Sequence, residues 1–250
     1  MKSLKKIYLR FYKQYHKLRF YMKINWVKTL YFNFKKFPFS IAKKLPVFFY
    51  GKVKFQDIGG EVVIDAPIKR GMVGFGQPYE KMTVHKGTAE IAISGKLLFK
   101  GHVQFGKDYF LFVKEGAVAQ FGHMASMATG GKVICTHKVT LGDYARIGSE
   151  SQIIDTNFHP MIDTVTGEKF PMTASIRLGD YNYIGNRVSI MLGTTTPDYC
   201  TVASNTLCNK DYSEYGNNVL IGGIPAKLLR ENTSRDWEYE KELLNKWLIV

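Results

Sequence analysis

Leu141-Gly142-Asp143-Tyr144-Ala145-Arg146-Ile147-Gly148, followed by Ile153, returns later in the chain as Leu178-Gly179-Asp180-Tyr181-Asn182-Tyr183-Ile184-Gly185, followed by Ile190. Both stretches read L-G-D-Y-x-x-I-G-x-x-x-x-I, with apolar residues six apart. Extending that step gives positions 135, 141, 147 and 153, and after an interruption 178, 184, 190, 196, 202 and 208. Seven of the ten are Leu, Ile or Val, and the others are Cys135, Thr196 and Cys208. Earlier fragments keep the step: Ile58 and Ile64; Ile91, Leu97 and Val103; Phe112, Val118 and Met124.

A period of six suits neither a helix, with apolar residues three and four apart, nor an ordinary strand, with every second residue apolar. It suits a solenoid whose coil has short straight sides, each sending one aliphatic side chain inward at the same place. Gly, Ala or Asp after the aliphatic residue suits a corner, where a large side chain would collide. The two L-G-D-Y copies lie 37 residues apart, about nineteen more than a triangular coil of about eighteen needs. Residues 160–176, with Pro160, Gly167 and Pro171, break the period and read as a loop thrown out from one coil, with His159 at its root.

The chain has 250 residues, 45% of them hydrophobic, which excludes a disordered chain. No run approaches the roughly 18 apolar residues of a membrane-spanning helix, and the start offers no secretory core, so a cytoplasmic protein is expected. The net charge of +14 is placed unevenly. Residues 1–56 hold fifteen Lys and Arg and no acid, the first acidic residue being Asp57, while the remainder is near neutral. Cys135, Cys200 and Cys208 fit no metal-binding pair and read as small buried thiols.

In the basic head, Leu4, Ile7, Tyr8, Phe11, Tyr15, Leu18 and Met22 repeat at three and four, the pattern of an amphipathic helix. A second helical piece is expected from Ile24 to Lys36, before Pro38. Two roles stay open and can coexist: covering the open end of the solenoid, and lying on an anionic membrane through residues 1–50. Motifs that read or stack on bases are absent, so no nucleic acid is expected.

Phe158-His159-Pro160-Met161, Gly167-Glu168-Lys169-Phe170-Pro171, Tyr183-Ile184-Gly185-Asn186 and the ending Gly223-Ile224-Pro225-Ala226-Lys227-Leu228-Leu229-Arg230 occur together with the six-residue period. As a set they resemble the hexapeptide-repeat acyltransferases, in particular galactoside and maltose O-acetyltransferases and bacterial polysaccharide O-acetyltransferases. The resemblance implies an all-β solenoid: a left-handed parallel β-helix with N-terminal and C-terminal helices and one excursion loop. With the charge placement and about 18 residues per coil, the chain divides into a basic helical segment 1–56, a β-helix of about eight coils over 57–225 with loop 160–176, and a C-terminal helix over 226–250 docked by Trp237, Leu243, Leu244, Trp247 and Leu248.

The resemblance further implies a homotrimer that moves acetyl from acetyl-CoA to a sugar hydroxyl of a surface polysaccharide or its precursor, with no metal. His159 would be the general base, since a neutral imidazole can take the acceptor's proton. The backbone N–H at Asn186 would hold the oxyanion. Tyr183 would pack beside the thioester, Ser204 would hold the pantetheine arm, and Lys210, Lys227 and Arg230 would face the phosphates. Two features depart from the family pattern: residues 122–131 lack the acceptor-binding Asn, and Thr195-Thr196-Pro197-Asp198 replaces an I-G-D corner. Asp155 and Asn157 are read either as orienting the imidazole or the acceptor, or as turn caps. A non-catalytic trimeric scaffold and an N-acyltransferase acting on an amino-sugar nucleotide remain alternatives. The histidines at 85, 102, 123, 137 and 159 include no pair five apart, which disfavours the zinc enzyme built on the same coil.

Overall fold

Strands of two to five residues wind into three flat sides, each a parallel ladder, and the chain is a parallel β-helix. The computed structural model describes residues 21–78, 80 and 85–248, together with Tyr15 and Leu18. The first side runs from Val47–Phe49 through Val73–Phe75, Val103–Phe105, Ser126–Met127, Arg146–Ile147, Tyr183–Ile184 and Thr201–Val202 to Leu220–Gly222. The second runs from Val53–Asp57 to Leu207–Cys208, with Gln152–Ile154 and Ser189–Met191 among its strands. The third runs from Glu61–Ile64 to Ile176–Leu178 and continues as single bridges from Arg177 to Thr195 and from Thr195 to Asp211.

All ten positions of the six-residue step are at most 3% exposed, and they fall in turn on the three sides, so each side sends its own stack into the core of the C-terminal half. Register explains where that step fails. Tyr183 pairs with Thr201 and Ser189 with Leu207, both coils of 18 residues. Phe110 pairs with Lys132, a coil of 22 residues. The fragment Phe112–Val118–Met124 is corrected: Phe112 and Val118 are half-buried, the inward residues there are Leu111, Val113, Ala117 and Ala119, and Met124 is buried outside that core, against Tyr144 and Trp237. The wider N-terminal coils are filled by rings, with Phe49, Phe75 and Phe105 stacked at 5.1 and 4.6 Å.

The L-G-D-Y repeat is a corner device. A Cβ on Gly142 would meet the Gly179 carbonyl carbon at 2.6 Å, and one on Gly179 would meet the Pro197 oxygen at 2.6 Å, so coils stack this closely only over glycine. Asp143 Oδ1 accepts from the His123 N–H at 2.6 Å, Asp180 Oδ1 from Asp143 N–H at 2.8 Å, and Asp198 Oδ1 from Asp180 N–H at 2.8 Å. The Thr-Thr-Pro-Asp substitution thus keeps the carboxylate. Tyr144, Tyr181 and Tyr199 follow in the left-handed backbone region, unusual for a bulky residue, and their rings stack at 5.2 and 4.8 Å.

The ends differ from the expected boundaries. The solenoid begins at Val47, not 57, because Val47-Phe48-Phe49-Tyr50 is a fully buried strand end that pairs with Val73–Phe75. Helix α1 (Trp26–Lys36) and the short α2 (Phe39–Ala42) cover that end. Asn25 caps α1, and Phe37 is extended before Pro38, as a residue preceding proline must be. The helix expected from Leu4 to Met22 lies almost entirely outside the described residues. At the other end, residues 226–250 are not one helix. Lys227–Arg230 folds back antiparallel on Leu220–Gly222, and among the described residues there only α3 (Trp237–Leu248) is helical. Trp237 is buried, its ring edge-on to that of Tyr181 with centroids 5.6 Å apart and Leu244 packed beside it. The side chains of Trp247 and Leu248 lie outside the described residues. Two excursions leave the coil rather than one: the chain departs after Phe75 and rejoins at Ala89, and departs after Ile154 and rejoins at Ile176. The second contains a hairpin, Met161–Ile162 with Lys169–Phe170.

Candidate functional site

The second excursion has a fixed root. Asn157 N–H donates to Met172 O at 2.9 Å, and Thr156 Oγ1 to the same oxygen at 3.2 Å, sewing the outgoing strand to the returning one. Phe158 turns through the left-handed region with its N–H on Thr156 Oγ1 at 2.9 Å. His159 follows immediately, exposed, just beyond the corner between the second and third sides.

Asp155 does not orient that imidazole. It is fully buried, and both its oxygens are committed to the preceding coil. Oδ1 accepts from Thr136 N–H at 2.7 Å and Thr136 Oγ1 at 2.9 Å, and Oδ2 from the His137 and Lys138 N–H groups at 2.8 and 2.9 Å. The turn-capping alternative describes it. The same carboxylate, after burial, helps push the nearby Cys135 thiol up to about 12. Asn157 lines a groove of about 530 Å³ on the second side with Gln152, Ser189, Met191, Leu192, Leu207 and Asn209.

Asn186 and Ser204 come together on successive coils at the other edge of this side. Ser204 Oγ accepts from Asn186 N–H at 3.1 Å, and Asn186 Oδ1 accepts from Ser149 N–H at 3.0 Å. The N–H assigned to an oxyanion is therefore engaged by a hydroxyl that one rotation would free. Tyr183 stands on the adjoining first side, 39% exposed, with the Arg235 guanidinium 4.9 Å above its ring. Lys227 is opposite Gly222 at the same edge, and Arg230 is opposite Leu220 further along the strand. Lys210 does not join them. It lies past Asn209 toward the third side, 3.4 Å from Glu214, and its pKa is raised by Tyr215 and Glu214.

The predicted residues thus form two groups at opposite edges of one side: His159 and Asn157 at one, Asn186, Ser204 and Lys227 at the other, with the groove on the side between them. Sequence reasoning missed Glu80, which arrives from the first excursion. Its carboxylate accepts from Ser149 Oγ at 2.7 Å and from Thr129 N–H at 2.6 Å, one coil from Asn186. The signal was Gly76 and Pro78, which interrupt the strands as Pro160 and Gly167 do. A separate hollow of about 440 Å³ lies at the N-terminal coils, rimmed by Lys23, Lys52, Lys86 and Lys107, away from His159. Among the described residues no cluster of His, Cys, Asp or Glu could hold a metal ion.

No family model matches the chain, and no curated protein matches it. Among solved structures it is similar to the polysialic-acid-specific acetyltransferase NeuO, with 18% identity over 74% of this chain and 72% of that one and a TM-score of 0.49. It is similar to a hexapeptide-repeat-containing acetyltransferase from Vibrio cholerae complexed with acetyl coenzyme A, at 24% over 46% of this chain and 61% of that one, TM-score 0.40. It is also similar to AntD, an N-acyltransferase from Bacillus cereus in complex with dTDP and coenzyme A, at 13% over 84% and 97%, TM-score 0.40. These likenesses concern the fold, which here rests on the chain's own ladders.

Proposed function

We propose that the protein is an acetyl-CoA-dependent O-acetyltransferase acting on a sugar hydroxyl of a surface glycan or its precursor, on the cytoplasmic side. The observation that carries the reading is a single side of the coil holding a groove between a rooted histidine and a column of corner N–H groups.

His159 removes the proton from the acceptor hydroxyl as that oxygen attacks the thioester carbonyl. The negative charge that develops on the carbonyl oxygen is met by the Asn186 N–H once Ser204 turns away, a donor already fixed on a rigid coil. Collapse of the tetrahedral intermediate breaks the C–S bond. The sulfur leaves as coenzyme A, taking the proton back from the imidazolium. Lys227 and Arg230 supply positive charge beside the same edge for the cofactor's phosphates.

Because the two residue groups stand a full side apart in one copy, a homotrimer is part of the proposal: the loop bearing His159 of one copy faces the Asn186 corner of its neighbour. The test is acetyl-CoA turnover on a panel of sugars, with thiol release and ester formation both measured. His159→Ala should lower kcat by more than about a hundredfold and leave acetyl-CoA affinity unchanged. Full turnover by that variant would remove His159 from the reaction, and a monomer at working concentration would remove the shared site.

A further inference from the structure

Helix α1 has its polarity reversed. Its inward face carries Thr29, Phe32 and Asn33, all fully buried, and two of the three are polar. They serve the edge of the first ladder: Asn33 Nδ2 donates to Val47 O at 2.7 Å, Val47 N–H to Asn33 Oδ1 at 3.2 Å, and Phe49 N–H to Thr29 Oγ1 at 3.0 Å. This blunts a strand edge that would otherwise pair with another chain. Capping is thereby complete, and it does not account for the outward face. There Val27, Leu30, Tyr31 and Phe34 stand at helical spacing, 77%, 43%, 54% and 50% exposed, with Phe39 of α2 at 70% and its ring 6.2 Å from that of Phe34. A helix built only to close a solenoid presents polar residues outward.

The border of this apolar stripe is mostly basic. Lys35, Lys43 and Lys44 are exposed beside it, Lys43 with its ammonium 6.0 Å from the Phe39 ring centroid, and the single acid Asp57 shares a hollow with Tyr31 and Lys35 at one edge. That positive excess selects the occupant. A second copy laid face to face would set lysine against lysine, and residues 1–20, themselves basic throughout, would do the same. An apolar stripe within a ring of lysines matches the surface of a bilayer with anionic headgroups, where aromatic and aliphatic side chains enter the interface and ammonium groups stay at the phosphates.

We infer that the outward face of α1, with Phe39, docks the solenoid by its N-terminal end on an anionic membrane surface. This depends on the helix alone and stands apart from acyl transfer. The test uses the full chain, sedimented with vesicles of phosphatidylcholine alone or of equimolar phosphatidylcholine and phosphatidylglycerol. Binding to the mixed vesicles should exceed that to the neutral ones by more than about tenfold and weaken in high salt. The triple change Val27→Glu, Leu30→Glu, Phe34→Glu should lower it by more than about tenfold with the thermal midpoint unchanged, since these side chains are exposed. Extra quenching of tryptophan emission by brominated anionic lipid in a Phe34→Trp variant, compared with wild type, tests the same face without introducing charge.

Equal binding to neutral vesicles would overturn the inference. So would wild-type binding by the triple variant, which would move the contact to another surface. A wild-type dimer that the triple change dissociates, with no vesicle binding, would overturn it in favour of a second copy.

Discussion

Replacing Asp155 by Ala should destabilise the coil without touching the groove. Three backbone N–H groups and one hydroxyl lose their acceptor at once. A hydrogen bond to a charged group contributes about 1.5 kcal/mol, so the three backbone donors together give about 4–5 kcal/mol. His137 and Lys138 are exposed, and water reaching that corner recovers part, leaving a loss of about 3–4 kcal/mol. Against a total stability of about 5–15 kcal/mol this is a large fraction, and for a chain of this size the thermal midpoint falls by on the order of 10 °C. Asp155→Asn keeps the shape but turns an amide NH2 toward N–H donors, and its cost falls between the two. The assay is thermal unfolding at fixed protein concentration, because assembly makes the midpoint concentration-dependent. A loss under about 1 kcal/mol for Asp155→Ala would refute the assignment of this carboxylate to the preceding corner.

Tyr181→Ala removes the middle ring of the tyrosine stack and should loosen α3 by about 1–3 kcal/mol, read as faster amide exchange over 237–245 with the coil's core amides unaffected. The thiols of Cys135, Cys200 and Cys208 are each pushed up to about 12, by burial first, so a thiol reagent at pH 8 should leave the native protein unlabelled and modify all three after denaturation. The His102 pKa is lowered to about 4, by burial first and then by His123 and Lys69, so the folded state binds fewer protons than the unfolded one between about 6.5 and 4. Stability is then whole above pH 6.5 and declines as pH falls through that window, by about 1–2 kcal/mol after solvent screening. His102→Leu should flatten this part of a pH series of unfolding midpoints, and a decline of the same size in the variant would place its cause elsewhere.

The solenoid was legible because coils near 18 residues keep a six-residue step, and all ten positions on that step from Cys135 to Cys208 are buried. In the N-terminal half the coils lengthen, to 22 residues from Phe110 to Lys132, and Phe112 and Val118, read as inward, stand one residue out of phase with the buried Leu111, Val113, Ala117 and Ala119. Aromatic rings also replace aliphatic residues there, so composition gave no warning that Val47–Phe49 already belonged to the ladder. His159 was found through the proline and glycine that break the period, and Asn186 and Ser204 through the corner motif. Asp155 looks, in one dimension, like a neighbour of His159; only stacking reveals that its partners are Thr136, His137 and Lys138, nineteen to seventeen residues earlier. Glu80 meets Ser149 across 69 residues, a pairing that no local pattern encodes.

The corner carboxylates and amides share a direction. Asp143, Asp180, Asp198, Asp155 and Asn186 each accept an N–H from a coil made earlier in the chain. A coil emerging from the ribosome therefore leaves its corner donors open until the next one arrives, and each turn of synthesis closes the turn before it. Trimming from the C-terminal end would uncover donors in the last coil left standing, whereas trimming from the N-terminal end removes donors and leaves only acceptors, which water satisfies readily. The ladder gives the solenoid a grain, and its two ends are unequal in what they can lose.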